Sequence, residues 1–175
     1  MSESLKKNYI FTSERLGYRL LKASDFADYF KLDSDPQVRA FFPNGHLNAE
    51  EVRANIEKNI NFFNKNGFGV FIAIELATGE FVGRCGFGAI DTGEIEVGYV
   101  FLKKYWGKGL ASEALSALLA WAEHNIQIVK QIIAFTPIEH TASQRVMQKA
   151  GMQFYKQAIH YGTTCVFYQK ELRQG

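Results

Sequence analysis

The apolar positions of this chain change period along its length, and the changes mark its elements. Positions 13–22 alternate, with Leu16, Tyr18 and Leu20 on one side, and predict a first strand. Ser24 is placed to cap a helix reaching about Leu32, which Ser34-Asp35-Pro36 breaks. Asn48-Ala-Glu-Glu51 has the form of a capping box. Val52, Ile56, Ile60 and Phe63 follow at helical spacing, and Gly67 stops them. The period then shortens. An apolar, β-branched run over 69–77 turns at Thr78-Gly79, returns over 80–90, turns at Asp91-Thr92-Gly93 and returns over 94–102. Glycine closing a three-residue hairpin loop suits a left-handed backbone there. Beyond it the pattern predicts a helix over 107–125, a strand over 129–136 and a short helix over 141–150. Thr141 and Gln144 are spaced as a second capping box, and Gly151 is the stop. Strands over 153–159 and 164–172 close the chain. A meander followed by strand–helix crossovers is an α+β arrangement: a mixed, mostly antiparallel central sheet of about seven strands, flanked by about four helices.

Composition narrows the class. The 175 residues are 47% hydrophobic and 22% charged, as in globular proteins, and predict one domain over 1–175 with a short N-terminal extension over 1–11. The 20 Lys and Arg against 18 Asp and Glu leave a net charge of +2, without the basic footprint of a nucleic-acid binder. The most apolar run, 110–122, falls short of the roughly 20 residues that span a bilayer. Cys85 and Cys165 lack metal or disulfide-framework spacing and read as buried, reduced thiols of a cytoplasmic protein. No histidine pair has ligand spacing, so no metal is expected.

The candidate chemistry begins at Tyr105-Trp106-Gly107-Lys108-Gly109-Leu110-Ala111-Ser112, between a strand end and a helix start. Glycines there free backbone amides beside the positive end of a helix dipole, which suits an anion. The stretch is not a dinucleotide fingerprint: Ser112 stands where Gly or Ala is required, and 129–136 has no acidic residue. Nor is it a P-loop, since Gly109 follows Gly107-Lys108. Lys103 and Lys104 precede it, either to attract phosphates or as a solvated pair. In the meander, a loop at 91–93 puts Gly88 opposite Glu96 and Gly86 opposite Gly98. Glu96 then shares a face with three glycines, which leaves room for a substrate amine beside a carboxylate base, with Glu94 on the same face as the rival. Tyr99 and Phe101 fall on the other face, toward the core. The loop Phe41-Phe42-Pro43-Asn44-Gly45-His46 could line an acceptor; His124 and His160 carry no signal of their own.

Taken in order, several stretches resemble the GNAT acetyltransferases, and within them the branch that acetylates ribosomal-protein N-termini (the RimJ/RimL type). These are Ser13-Glu-Arg-Leu16, Ser34-Asp-Pro-Gln-Val38, Glu96-Val-Gly-Tyr99, Tyr105 to Gly109 with Ala111-Ser-Glu-Ala114, and Ser143-x-Arg-Val146-x-x-Lys149-x-Gly151. The resemblance implies acetyl-coenzyme A as donor and an amine as acceptor, either a protein N-terminus or a small molecule. It implies pantetheine against the backbone of Tyr99, Val100 and Phe101. It implies pyrophosphate on the window from Trp106 through Gly107, Lys108, Gly109, Leu110 and Ala111 to Ser112, with His140 and Ser143 adding side chains. The chain departs from the family at three positions: Trp106 replaces Arg or Gln, His140 replaces Asn, and Met147 stands where a Tyr acid is common. Glu96 as base and Ser143 as partner of the leaving thiolate are therefore the catalytic candidates. The alternative is a coenzyme A binder without catalysis. The acceptor and the oligomeric state are not set by these motifs.

Overall fold

The computed structural model describes residues 8–173. Its strands are β1 (Phe11–Thr12), β2 (Leu16–Leu20), β3 (Val70–Glu75), β4 (Phe81–Ala89), β5 (Ile95–Phe101), β6 (Gln131–Pro137), β7 (Gln153–His160) and β8 (Thr163–Glu171). They form one sheet in the order β1-β2-β3-β4-β5-β6-β8-β7, antiparallel except for β5 beside β6. The helices are α1 (Phe26–Asp33), α2 (Ala49–Asn66), α3 (Leu110–Asn125) and α4 (Thr141–Lys149). The expected mixed sheet is present, with eight strands against about seven, because Phe11 and Thr12, ahead of the strand expected over 13–22 and at the end of the expected extension, form a further strand of the sheet. Phe11 and Thr12 pair with Tyr18 and Gly17, and the chain turns between them. Residues 1–7 of the expected extension lie outside the described residues; Tyr9 lies over Gly17, where any side chain would meet its ring at 2.6 Å.

Local chemistry explains most boundaries. The Asn48 side chain accepts from Glu51 N–H at 2.9 Å, and the Glu51 carboxylate accepts from Asn48 N–H at 2.8 Å, so the capping box forms. Gly67 ends α2 at φ 76°, a left-handed conformation that glycine adopts without strain. Two expected caps do not form. Ser24 sits inside a short 3-10 turn (Ala23–Asp25), and Asp25 instead accepts from Lys22 N–H at 2.8 Å while pairing with Arg19. Gln144 does not close a box with Thr141, because its amide donates to the Ile138 carbonyl at 2.7 Å.

The buried residues of α3, Leu110, Ala114, Leu115, Leu118, Leu119 and Ala122, recur every three to four positions and seat it on the sheet. On that side Trp121 packs on Phe71 and Phe87. The opposite side of β4 faces α1 through an ion cluster. Asp33, fully buried, accepts from Arg39 at 2.9 Å and from two nitrogens of Arg84 at 2.9 and 3.0 Å. Burying a carboxylate is costly unless its lone pairs are filled, and here two guanidiniums fill them. A second, smaller apolar cluster, of Ile90, Ile133, Cys165 and Phe167, lies apart from the main core.

Candidate active site

The site forms where the sheet is least complete. β5 and β6 share a single paired position, Glu96 opposite Ile133. Beyond it the two strands are unpaired, so the edge of β5 from Val97 to Phe101 has no strand partner on that side. Unpaired main-chain donors and acceptors on such an edge are suited to an extended ligand. One of them is already used: the Trp106 indole donates to the Phe101 carbonyl at 2.9 Å. Val100 and Phe101 themselves bury their side chains in the core.

The register around Glu96 is the expected one: Gly88 opposite Glu96, Gly86 opposite Gly98, and Cys85 opposite Tyr99. A Cβ on Gly88 would sit 3.7 Å from Glu96 Oε1, and one on Gly98 would meet nothing within 4 Å. Gly86 behaves differently from its two companions. Its φ is 143°, and a side chain there would run into the Gly69 carbonyl at 2.2 Å, so its smallness serves strand contact rather than pocket space. Partial burial raises the Glu96 pKa, against the lowering fields of Arg84 and Lys58. Glu94 precedes β5 in the turn, where Thr92 Oγ1 donates to its carboxylate at 2.8 Å. It is already held by the loop. The face of Glu96 continues across β6 and β8 to Phe135, Phe167 and His160, whose Nε2 is buried without a hydrogen-bond partner among the described residues.

On the other face of β5 the Tyr99 hydroxyl lies 2.8 Å from Ser143 Oγ. Sequence reasoning placed Ser143 here but gave Tyr99 only a backbone role; the two form a unit. Ser143 is buried, and burial pushes the Tyr99 phenol up to about 12. Met147, one turn further along α4, is buried in the core. His140 at the start of α4 accepts or donates a bond with Thr136 Oγ1 at 3.2 Å and stacks on Phe41 at 4.0 Å between centroids. Burial lowers its pKa, which favours the neutral imidazole. The aromatic loop before α2 therefore reaches the start of α4.

The glycine stretch turns directly from β5 into α3. Gly107 and Gly109 have φ of 71° and 76°, and α3 begins at Leu110, three residues later than the pattern implied, because Gly109 is its left-handed N-cap. No side chain caps that end. The amides of Leu110, Ala111 and Ser112 thus head a helix with open space over Gly107, while the Arg15 guanidinium lies 3.6 Å from where a Cβ on Gly109 would be. The loop is braced from far away in sequence. Arg15 Nη1 donates to the Lys108 carbonyl at 2.8 Å, and Arg15 Nε donates to Glu113 at 2.7 Å. The same carboxylate accepts from Ser13 Oγ at 2.6 Å and from Arg15 N–H at 2.7 Å. Lys103 and Lys104 do not serve this loop: Lys103 donates to Gln37 and Lys104 pairs with Glu80. The ammonium of Lys108 lies 5.6 Å from the Tyr105 ring centroid. Cys85 and Cys165 are free and buried, and burial raises both thiol pKa values. Among the described residues no group of three acidic, His or Cys side chains could hold a metal, and no helix is long and apolar enough to cross a membrane.

A family model described as "Acetyltransferase (GNAT) domain" matches residues 15–153, which include both faces of this junction and the braced loop. The chain belongs to the GNAT acetyltransferase family. Among relatives, it is 32% identical to the "Uncharacterized N-acetyltransferase YnaD" of Bacillus subtilis, with 86% of this chain and 88% of that one covered. A GNAT-family acetyltransferase from Bacillus anthracis has a solved structure with TM-score 0.76 and 30% identity, covering 91% of this chain and 96% of that one. The fold is also shared with RimL, a ribosomal L7/L12 alpha-N-protein acetyltransferase solved with coenzyme A, at TM-score 0.78 and 18% identity over 93% of this chain and 97% of that one. As a GNAT protein the chain is an acetyl-CoA-dependent acetyltransferase.

Proposed function

We propose that this GNAT enzyme transfers the acetyl group of acetyl-CoA directly to a primary amine held beside Glu96. The observation that carries the reading is the single-pair junction of β5 and β6. It ends at Glu96 and leaves a free strand edge that leads into an uncapped helix N-terminus. The residues present fit the cosubstrate: an extended amide chain suits the edge of Tyr99, Val100 and Phe101, and a diphosphate suits the amides over Gly107, Gly109 and Ala111. Acetyl-CoA supplies the activated acetyl group. Only a neutral amine attacks a thioester, so Glu96 takes the ammonium proton. Its raised pKa keeps it a stronger base than a solvated carboxylate. The Tyr99–Ser143 pair faces the slot from the other side and supplies the proton that the departing sulfur takes up. This reading extends the proton-donor role from Ser143 to Tyr99, since Met147 has no proton to give.

The acceptor is a protein N-terminus or a small-molecule amine. The Ser13–Leu16 and Ser143–Gly151 motifs support a place near the RimL-type branch. Two free cysteines support a reducing, cytoplasmic setting. The test is release of free thiol from acetyl-CoA with a panel of amines, run on the parent enzyme and on Glu96→Gln. Amine-dependent release, slowed about 10²–10⁴-fold in the variant with coenzyme A binding unchanged, is expected. A variant as fast as the parent would remove Glu96 from the reaction.

A further inference from the structure

The open ground beside Glu96 has an owner at each end. Gly98 is exposed, and the position its side chain would fill is empty to 4 Å. On the same face of the sheet, Glu96 lies two residues away along β5, about 7 Å. Arg84, paired with Val100, is the diagonal neighbour on β4, also about 7–8 Å away. The Arg84 guanidinium is held in place by two hydrogen bonds to buried Asp33 and lies 5.2 Å from the Tyr29 ring centroid. Those bonds use Nε and Nη2. Nη1 donates to nothing among the described residues, and it is not sealed off as a buried orphan. At this end Arg39 and Arg84 share the one carboxylate of Asp33, which leaves one positive charge over, faced from the other end by Glu96. Lys58, exposed on α2, is a second positive charge whose field reaches Glu96.

We propose that the acceptor amine carries an anionic group close to its nitrogen, a carboxylate in the simplest case, and that Arg84 binds that group while Glu96 takes the amine. The proposal rests on the reading of Glu96 as the acceptor-side base. An amino acid, or a peptide whose first residue is acidic, has this chemistry; a polyamine does not. A polycation over Gly98 would place positive charge next to Arg84 with only Glu96 to offset it. The guanidinium fork suits a carboxylate in a fixed direction, and Asp33 orients it before any ligand arrives.

The experiment compares matched acceptors in the thiol-release assay: amino acids against the amines left by their decarboxylation, with spermidine as a third arm. The carboxylate-bearing member of each pair is expected to have kcat/KM at least tenfold higher. Lys58→Gln, on an exposed helix face, should reduce that ratio about two- to fivefold. Arg84→Gln, checked for folding by circular dichroism, should abolish it by lowering the rate with the carboxylate-bearing member far more than with its decarboxylated partner, since the shared change at Glu96 acts on both. Equal or faster turnover of the decarboxylated amines or of spermidine by the parent enzyme overturns the proposal and leaves acetyl transfer standing. Failure of every amine to accelerate thiol release overturns the reading of the site, and this proposal with it.

Discussion

Removing the Arg15 side chain should loosen the anion loop without unfolding the protein, and the structure sets the size of the effect. Arg15→Ala deletes the ion pair to Glu113 and the donor to the Lys108 carbonyl. It does not strand the carboxylate, which keeps Ser13 Oγ and the backbone N–H of residue 15 as donors. The Arg15 side chain is 46% exposed, so the pair is screened and contributes only about 0.2–1 kcal/mol. The bond to the carbonyl adds about 0.5–1.5 kcal/mol. A loss of about 1–2 kcal/mol lowers the melting temperature of a chain this size by about 2–8 °C. The larger consequence is local. A loop that is competent only part of the time has its dissociation constant divided by that fraction, so about 1 kcal/mol of lost bracing weakens coenzyme A binding by up to about fivefold. Isothermal titration with coenzyme A and a thermal melt of the same preparation read both quantities. Arg15→Lys keeps the charge but loses the two-sided geometry, and should fall between the two. An Arg15→Ala protein that melts lower but binds coenzyme A with unchanged affinity would show that the brace serves stability alone and refute the reasoning.

Three further outcomes are expected. Gly109→Val forces a β-branched residue into φ near 76°, so the loop must rearrange, and the coenzyme A dissociation constant should rise at least tenfold, about 1.4 kcal/mol, by titration. Burial raises the Glu96 pKa and a base works deprotonated, so kcat/KM should climb with pH through a value above the ordinary carboxylate range; Glu96→Gln should remove that limb. Cys85→Ala and Cys165→Ala should each keep most of the activity, and initial-rate patterns should intersect, since raised thiol pKa values disfavour an acetyl-cysteine; parallel lines with a trapped acetyl-thiol would sink direct transfer.

What could be read in the chain beforehand was what neighbouring residues decide. A three-residue loop ending in Gly93 dictates the pairing of β4 with β5, and with it the place of Glu96. Asn48 and Glu51 meet within one helical turn, and Gly67 needs only its own backbone. What escaped was contact across the fold. Arg15 and Ser13 meet Glu113 some 100 residues away, although both motifs stood out separately. Tyr99 was correctly turned from Glu96, but its hydroxyl partner depends on how α4 packs. Asp33, Arg39 and Arg84 look like ordinary surface charges until α1 is laid against β4. Ser24 shows the converse failure: a good local cap lost to a better-placed carboxylate at Asp25.

The one-pair junction also bears on how the molecule moves. On the α3 side, Ile132, Ala134, Val166 and Tyr168 join the main core and fasten the last three strands to the rest. On the Glu96 side, four buried residues do so. The sheet is therefore joined unevenly, with the larger core on one side and the smaller cluster along the seam on the other. Amides of β6, β7 and β8 should exchange with solvent together and earlier than those of β3 and β4. A molecule lying along the seam would slow them, so occupancy of the cleft can be watched from strands that touch no ligand.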